Sequence, residues 1–411
     1  MGKKENQAWL IAGALFISLW VLWGSGFNTF GVFFMPLLKE FGRSRALTSL
    51  GSTAIVLSAG GAAPLAGWLM GWIDTRLVMG VGATLAGVSL FGASQASSFN
   101  HLMAWYVALG MGLGASSWLP ASVIVSNWFK ERQGTALGLT TSGMELGGMV
   151  MALVATHLIA THGWRVAYLV LATPIFVVAL PLILIVVKAR PEDRAPAESN
   201  GGKIVPLLSG LDVRQALQTR GFWLLALVQF VFGFGAGGSF VHLVPYLLKL
   251  GYSAQVAALA FSSALGIVVV GKPLMGMLGD NIGGRKALAA GLAICAGSIV
   301  LLLNARLSFI LVLAILVYGL TLTTPVALVP VVLTDIAGLK SLGPLLGVLL
   351  FIQTAGVATG PIFVGRLFDL NGTYGGGYAI LSSLMLIAAL STMGCVGEKA
   401  GVVNPLLRSA T

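Results

Sequence analysis

Charge is what this chain has least of. Asp, Glu, Lys and Arg make up 9% of its 411 residues, while 57% are hydrophobic, and the mean hydropathy is +0.94. An ordinary soluble domain carries about a quarter of charged residues, so a soluble fold is excluded. Cysteine is almost absent too: Cys295 and Cys395 both lie in apolar runs, which indicates neither a disulfide framework nor a metal site. No nucleophile, base and orienter share a context, and no phosphate-binding loop joins a strand to a helix. An enzyme is therefore not expected, and no cofactor is implied. The period-two alternation of an outer-membrane barrel is missing as well.

What remains is a succession of apolar runs, each long enough to cross about 30 Å of hydrocarbon as a helix. Cut at its charged and turn-rich segments, the sequence predicts an all-α membrane protein of about twelve transmembrane helices. They start near Ala8, Ala46, Leu77, Leu102, Gly134, Val166, Gly221, Ala254, Ala287, Ser308, Pro344 and Gly377. The first run continues from about Ala8 to Phe34 without a small-residue cleavage site, so it reads as a retained span rather than a signal peptide. The longest polar stretch, Ala189 to Thr219, divides the chain into two six-helix bundles, 1–188 and 220–411, with 189–219 as a cytoplasmic linker. Its last part, LDVRQALQTR, reads equally well as a short surface helix or a solvated loop.

The net charge of +11 does not indicate nucleic acid, because the basic residues are scattered among short loops without interleaved aromatics. They read instead as a topology signal. With the N-terminus inside, 16 of the 24 Lys and Arg residues fall on the cytoplasmic side and seven on the other, Lys272 being the one left over. Both termini are thus expected in the cytoplasm, and the protein in the plasma membrane or its bacterial counterpart, the cell inner membrane.

Lys272 sits inside an uncharged stretch from Ala254 to Leu278. A lysine at such depth costs roughly 2.5–3.5 kcal/mol on insertion scales, which makes it a functional candidate by default. Glu145, within TTSGMELGGMV, is the one acid near mid-bilayer depth; Asp74, Asp280, Asp335 and Asp369 all fall at helix ends. Gly143 and Gly147 share a helix face suited to close packing, and Glu145 points the opposite way, toward the space between the bundles. The plain alternatives are a static salt bridge or a protonated glutamic acid in a packed core. His242 lies close to Pro245, where it reads either as a core histidine bonding a freed carbonyl or as a proton-handling group. Asn28, Tyr318, Trp118 and Phe351 are candidates to line a cavity and hold a substrate's uncharged part, and each reads equally as packing.

After the eighth span the chain reads GMLGDNIGGRK, Gly276 to Lys286, and after the second GWLMGWIDTRLV, where Asp74 and Arg76 remain but the second glycine and the basic pair do not. This repeated loop resembles that of the major facilitator superfamily, which has the same six-plus-six plan. The resemblance implies a conformational latch at Asp280 and Arg285, with Asp74 and Arg76 in the corresponding place; the plain reading is a tight turn with topology-setting charges. Further segments, GFNTFGVFF, EFGRSRA, SNWFKERQGTALGLTTSG, GWRVAY, HLVPYLLKLGYS and GPIFVGRLFDLNGTYGGGY, are similar to those of the monocarboxylate transporter family and its bacterial oxalate/formate antiporter-like relatives.

Members of that family place a lysine four residues before VFF, and in the eighth helix an Asp and an Arg four apart, the Arg directly before Pro. Here those positions hold Asn28, Val268 and Lys272, the last followed by Pro273. The resemblance implies a secondary transporter of a small organic monoanion, a monocarboxylate, working by alternating access with proton coupling or anion exchange; the anion, protons and the lipid bilayer are its partners. In the superfamily the fifth and eighth helices meet across the cavity, so Glu145 is expected to replace the missing acid and neutralise Lys272. Bacterial relatives also carry a histidine in the HLVPY context, facing the site, as His242 would. The alternative reading has Glu145 binding a cation or zwitterion with Lys272 as counter-ion. A non-transporting membrane sensor is disfavoured, since no added signalling domain is evident.

Overall fold

In the computed structural model, residues 3–43, 45–189 and 210–395 are described. Among them, eleven continuous helical stretches are long and apolar enough to cross a membrane, and one counts twice. Gln133–Val186 has 54 residues and would run about 80 Å as one helix, far more than a bilayer. Gly163 breaks it: φ 81, ψ 166 is a non-helical conformation open to glycine. The twelve spans are α1 (Lys4–Phe41), α2 (Arg45–Leu69), α3 (Thr75–Ser94), α4 (Phe99–Trp128), α5 (133–162), α6 (164–186), α7 (Arg220–Lys249), α8 (Ala254–Ile282), α9 (Gly284–Leu303), α10 (Ser308–Ala337), α11 (Leu342–Asn371) and α12 (Gly375–Met393).

Among the described residues four spans are interrupted, one of them α6, which has π turns over Ile175–Ala179 and Leu182–Val186. α1 makes a π turn over Gly24–Asn28. α4 breaks at Ser117, φ −109 and ψ −118, shortly before Pro120, and restarts as Trp118–Trp128. α10 breaks at Leu322 and Thr323 before Pro325 and restarts as Thr324–Ala337. Fourth and tenth helices occupy corresponding places in the two halves, and paired interruptions of this kind mark the neighbourhood of a transport site.

Within each half, glycine brings helices into backbone contact, which is how helices gain packing energy when lipid is as apolar as their own side chains. A methyl added at Gly143 or Gly147 of α5 would collide with the Phe16 or Trp20 carbonyl of α1, and one at Gly356 or Gly360 of α11 with the Phe230 or Phe234 carbonyl of α7. The family-like segments lock together at the same time. Phe33 stacks on Tyr168 at 3.9 Å, Tyr168 shares a 2.6 Å hydrogen bond with Tyr106, and Arg165 pairs with Glu40 at 2.7 Å.

The middle of the linker, 190–209, lies outside the described residues. Its last part forms the short helix Val213–Ala216, with Gln215 Oε1 accepting from the Asp212 N–H at 2.9 Å. The Leu211 N–H donates to the Ala337 carbonyl at 2.8 Å, and Lys340 pairs with Asp212 at 2.7 Å. The end of the bundle reached by this segment is the linker end; the opposite one is the far end.

Candidate functional site

The halves meet along two seams near the linker end, where glycine lets backbones touch. A methyl at Gly276 of α8 would collide with the Gly134 carbonyl of α5, and one at Gly138 of α5 with the Lys272 carbonyl of α8. On the other side α2 meets α11: a methyl at Gly67 would collide with the Gly343 carbonyl, one at Gly60 with Thr354, and one at Gly347 would stand 2.6 Å from the Ala63 carbonyl oxygen.

Because the backbones touch at Gly138, the Lys272 side chain has nowhere to go but along the seam. Side chains lean toward the N-terminus of their helix, and for α8 that is toward the far end. There it meets Glu145. Its Nζ lies 2.7 Å from Oε1 and 2.6 Å from Oε2 of Glu145 and donates to the Thr141 carbonyl at 3.2 Å. The two residues start about 18 Å from Gln133 and about 15 Å from Ile282 along their helices, so their depths match. An ammonium has three donors, and here each has a protein acceptor. Lys272 is 1% exposed and Glu145 17%, so the carboxylate is the more accessible member of the pair.

Asn28 joins this site. It closes the π turn of α1, and its Nδ2 donates to the Met144 carbonyl at 2.9 Å, one residue from Glu145. Val268, where the resembled family has its acid, is buried at one turn from Lys272. Trp118 stands at the break in α4 and reaches across to α10, donating from Nε1 to the Val326 carbonyl at 3.1 Å. That carbonyl would ordinarily accept from residue 330, which is proline and has no N–H. A residue of the first half thus fills an acceptor left open in the second.

The other candidates lie elsewhere. His242 is close to the far end of α7, where its Nε2–H donates to the Pro361 carbonyl of α11 at 3.0 Å and its ring rests near Tyr374. It is a helix-to-helix clamp, about 18 Å nearer the far end than Lys272. Tyr318 is 1% exposed, with its hydroxyl 2.6 Å from Ser239 Oγ inside the second half. Phe351 is 51% exposed. At 100° per residue it falls outside the sector of α11 between the face on α2 (Gly347, Thr354) and the face on α7 (Gly356, Gly360), and so it points to lipid. These three are not gathered around the pair.

Of the loop residues, Asp280 reaches across the halves. Its Oδ1 accepts from the Gly134 N–H at 2.7 Å, and its Oδ2 from the Thr135 N–H at 2.8 Å and the Thr135 hydroxyl at 2.5 Å. It thereby caps the N-terminus of α5, where free N–H groups and the helix dipole favour an anion. Asp74 instead caps its own helix through the Arg76 N–H and pairs with the Arg76 side chain at 3.0 Å. Arg285 donates to the Cys395 carbonyl at 3.3 Å, within its own half.

Sequence reasoning missed Gln229 on α7. It is 1% exposed, donates from Nε2 to Gln353 Oε1 at 3.4 Å, and has no donor on its own Oε1 among the described residues. Its signal was a lone amide in the apolar run LLALVQFVFGF. Among the described residues no group of His, Cys, Asp and Glu has a metal-binding arrangement.

The sequence matches the Major Facilitator Superfamily profile over residues 15–272. Monocarboxylate transporter 12-B of Danio rerio is 29% identical over 427 residues, covering 93% of this chain and 87% of its own. Monocarboxylate transporter 12 of Rattus norvegicus is 30% identical over 366 residues, covering 80% and 73%. An uncharacterized MFS-type transporter of Bacillus subtilis, YcxA, is 24% identical over 401 residues, covering 91% of each. Among solved structures, the E. coli fucose:proton symporter FucP superposes with TM-score 0.75 at 15% identity, over 93% of this chain and 98% of its own. The proton:xylose symporter XylE gives 0.73 at 15%, over 95% and 96%. These two establish the fold.

Proposed function

This chain belongs to the major facilitator superfamily, within its monocarboxylate transporter-like family, and is a multi-pass membrane transporter rather than an enzyme; on that premise we propose that it carries a small organic monoanion, a monocarboxylate, by alternating access. The observation that carries the reading is the saturated ammonium of Lys272. An incoming carboxylate gains a donor only if Glu145 lets go, and Glu145 is the more accessible partner. Protonating Glu145 removes its charge and frees the lysine for the substrate, while the closed pair keeps the empty carrier neutral during its return. Substrate and proton then move together in net transport; exchange of one anion for another bypasses the empty return. Asn28 holds the helix that carries Glu145 at this depth. Lysine presents a point charge rather than arginine's fork, which suits one carboxylate without fixing its plane.

The test is substitution at the pair. Lys272→Ala abolishes anion binding by folded protein, and Lys272→Arg keeps part of it; normal uptake through Lys272→Ala would sink the reading. Removing one partner of a buried pair costs about 3–5 kcal/mol, so expression and folding are measured alongside. Glu145→Gln leaves the lysine unneutralised in the empty carrier. Net proton-linked flux then falls while anion exchange suffers less, and Val268→Asp in that background restores part of the net flux. Equal loss of exchange and net flux, without rescue, makes the glutamate structural or a direct substrate ligand.

The greater exposure of Glu145 also favours a second reading, in which an amine or zwitterion meets the carboxylate first. A thermal-shift screen separates the two, because a ligand of the folded state raises apparent stability: carboxylates protect under the first reading, amines under the second. The positive-inside bias orients the linker end and both termini to the cytoplasm, in a plasma or cell inner membrane. Cysteines at Ser199 and Thr373 then label from opposite sides.

A further inference from the structure

Gln229 is a buried amide with half its hydrogen-bonding capacity unused. It is 1% exposed; its Nε2 is committed to Gln353, so Oε1 points the other way and has no donor among the described residues. An acceptor left in this condition is destabilising, and a protein retains it where something else supplies the donor.

Its position shows what it faces. At the far end, Phe240 of α7 packs on Phe261 of α8 with ring centroids 4.4 Å apart. Eleven residues toward the linker end along α7 is Gln229, and eleven residues toward the linker end along α8 is Lys272. Eleven residues are three turns with only about 20° of drift. The two side chains therefore project from matching faces of antiparallel helices at one depth, about 14 Å from Arg220 and about 15 Å from Ile282. Between them runs α10, which packs against α8 where a methyl at Gly271 would meet Leu320 at 2.6 Å. α10 then breaks at Thr323, whose buried Oγ1 also lacks a partner among the described residues.

We propose that Gln229 is a substrate-specificity residue: its Oε1 accepts a hydrogen bond from a donor on the substrate, a hydroxyl or amide N–H, whose carboxylate is held by Lys272. The inference rests on the monoanion reading above and narrows it. The carrier selects monocarboxylates bearing a hydrogen-bond donor away from the carboxylate over alkyl acids of the same length. A site built around a bonded donor discriminates strongly against an analogue without one, since the missing bond leaves the protein's own polar group unpaired.

The experiment measures thermal stabilisation and uptake for matched acids of four to six carbons, with a terminal hydroxyl, a terminal amide or a terminal methyl. The wild-type protein is expected to favour the donor-bearing acids by tenfold to a hundredfold. In Gln229→Leu, of similar size but with no acceptor, that ratio collapses toward one; Gln229→Glu, which keeps an acceptor, retains a preference and guards against a merely misfolded leucine variant. Equal binding of hydroxylated and alkyl acids by the wild type overturns the proposal and leaves the monoanion reading standing, as does an unchanged ratio in folded Gln229→Leu. Protection by amines alone overturns the monoanion reading itself.

Discussion

The two seams that join the halves differ in kind. Where α5 meets α8, backbone contact at Gly134, Gly138 and Gly276 is reinforced by charge: the Lys272–Glu145 pair at mid-depth and Asp280 on the N-terminus of α5 nearer the linker end. Where α2 meets α11, the contacts among Gly60, Ala63, Gly67, Gly343, Gly347 and Thr354 are those of small residues. The first half's acid, Asp74, stays with Arg76 and does not reach α11. One seam holds by electrostatics and packing together, the other by packing. The difference teaches that opening the linker end has its electrostatic barrier on one side of the molecule, the side that also holds the buried Lys272–Glu145 pair.

Overpacking either seam gives the largest expected effect. Gly276→Val and Gly347→Val both force the seam apart, at about 1–3 kcal/mol each. That corresponds to a shift of roughly tenfold to a hundredfold in the balance of closed and open linker end. The shift is read as faster maleimide labelling of a cysteine at Ser126, which is 2% exposed in the closed form. If only one of the two variants responds, the seams do not share the closure.

Intermediate in size is Asp280→Asn. Loss of a charged helix cap costs about 1 kcal/mol, so the same labelling rate rises about fivefold, and the rise shrinks at high salt. An equal response at Asp74→Asn would erase the contrast between the seams. The expected effect there is the smallest, about twofold or less, because Asp74 makes an exposed pair within its own half.

The sequence made the charged seam legible for a physical reason. An ion in hydrocarbon must have a partner, so Lys272 and Glu145, each alone in a long apolar run, pointed to one another once the helices carrying them were taken to meet. The twelve spans were legible in the same way, down to the break near Gly163 between the fifth and sixth. Helix neighbours were not. His242, Tyr318 and Phe351 sit on helices correctly drawn, yet whether a side chain points at the cavity, another helix or lipid depends on rotation about the helix axis, and apolar spans advertise that weakly. Gln229 escaped notice because an uncharged amide costs little enough in a span to look ordinary. The breaks in α4 and α10 had Pro120 and Pro325 as signals, with Ser116, Ser117, Thr323 and Thr324 just before them, but each run is apolar enough overall to read as one span.

Trp118 gives the molecule an optical handle. The chain has ten tryptophans, but the indole of Trp118 donates across the halves to a carbonyl that Pro330 leaves without a helical donor. Parting the halves at this depth exchanges that bond for water, and an indole moved from a buried to a wetted setting emits at longer wavelength. The difference between native protein and Trp118→Phe therefore reports the state of the centre of the bundle with no added label.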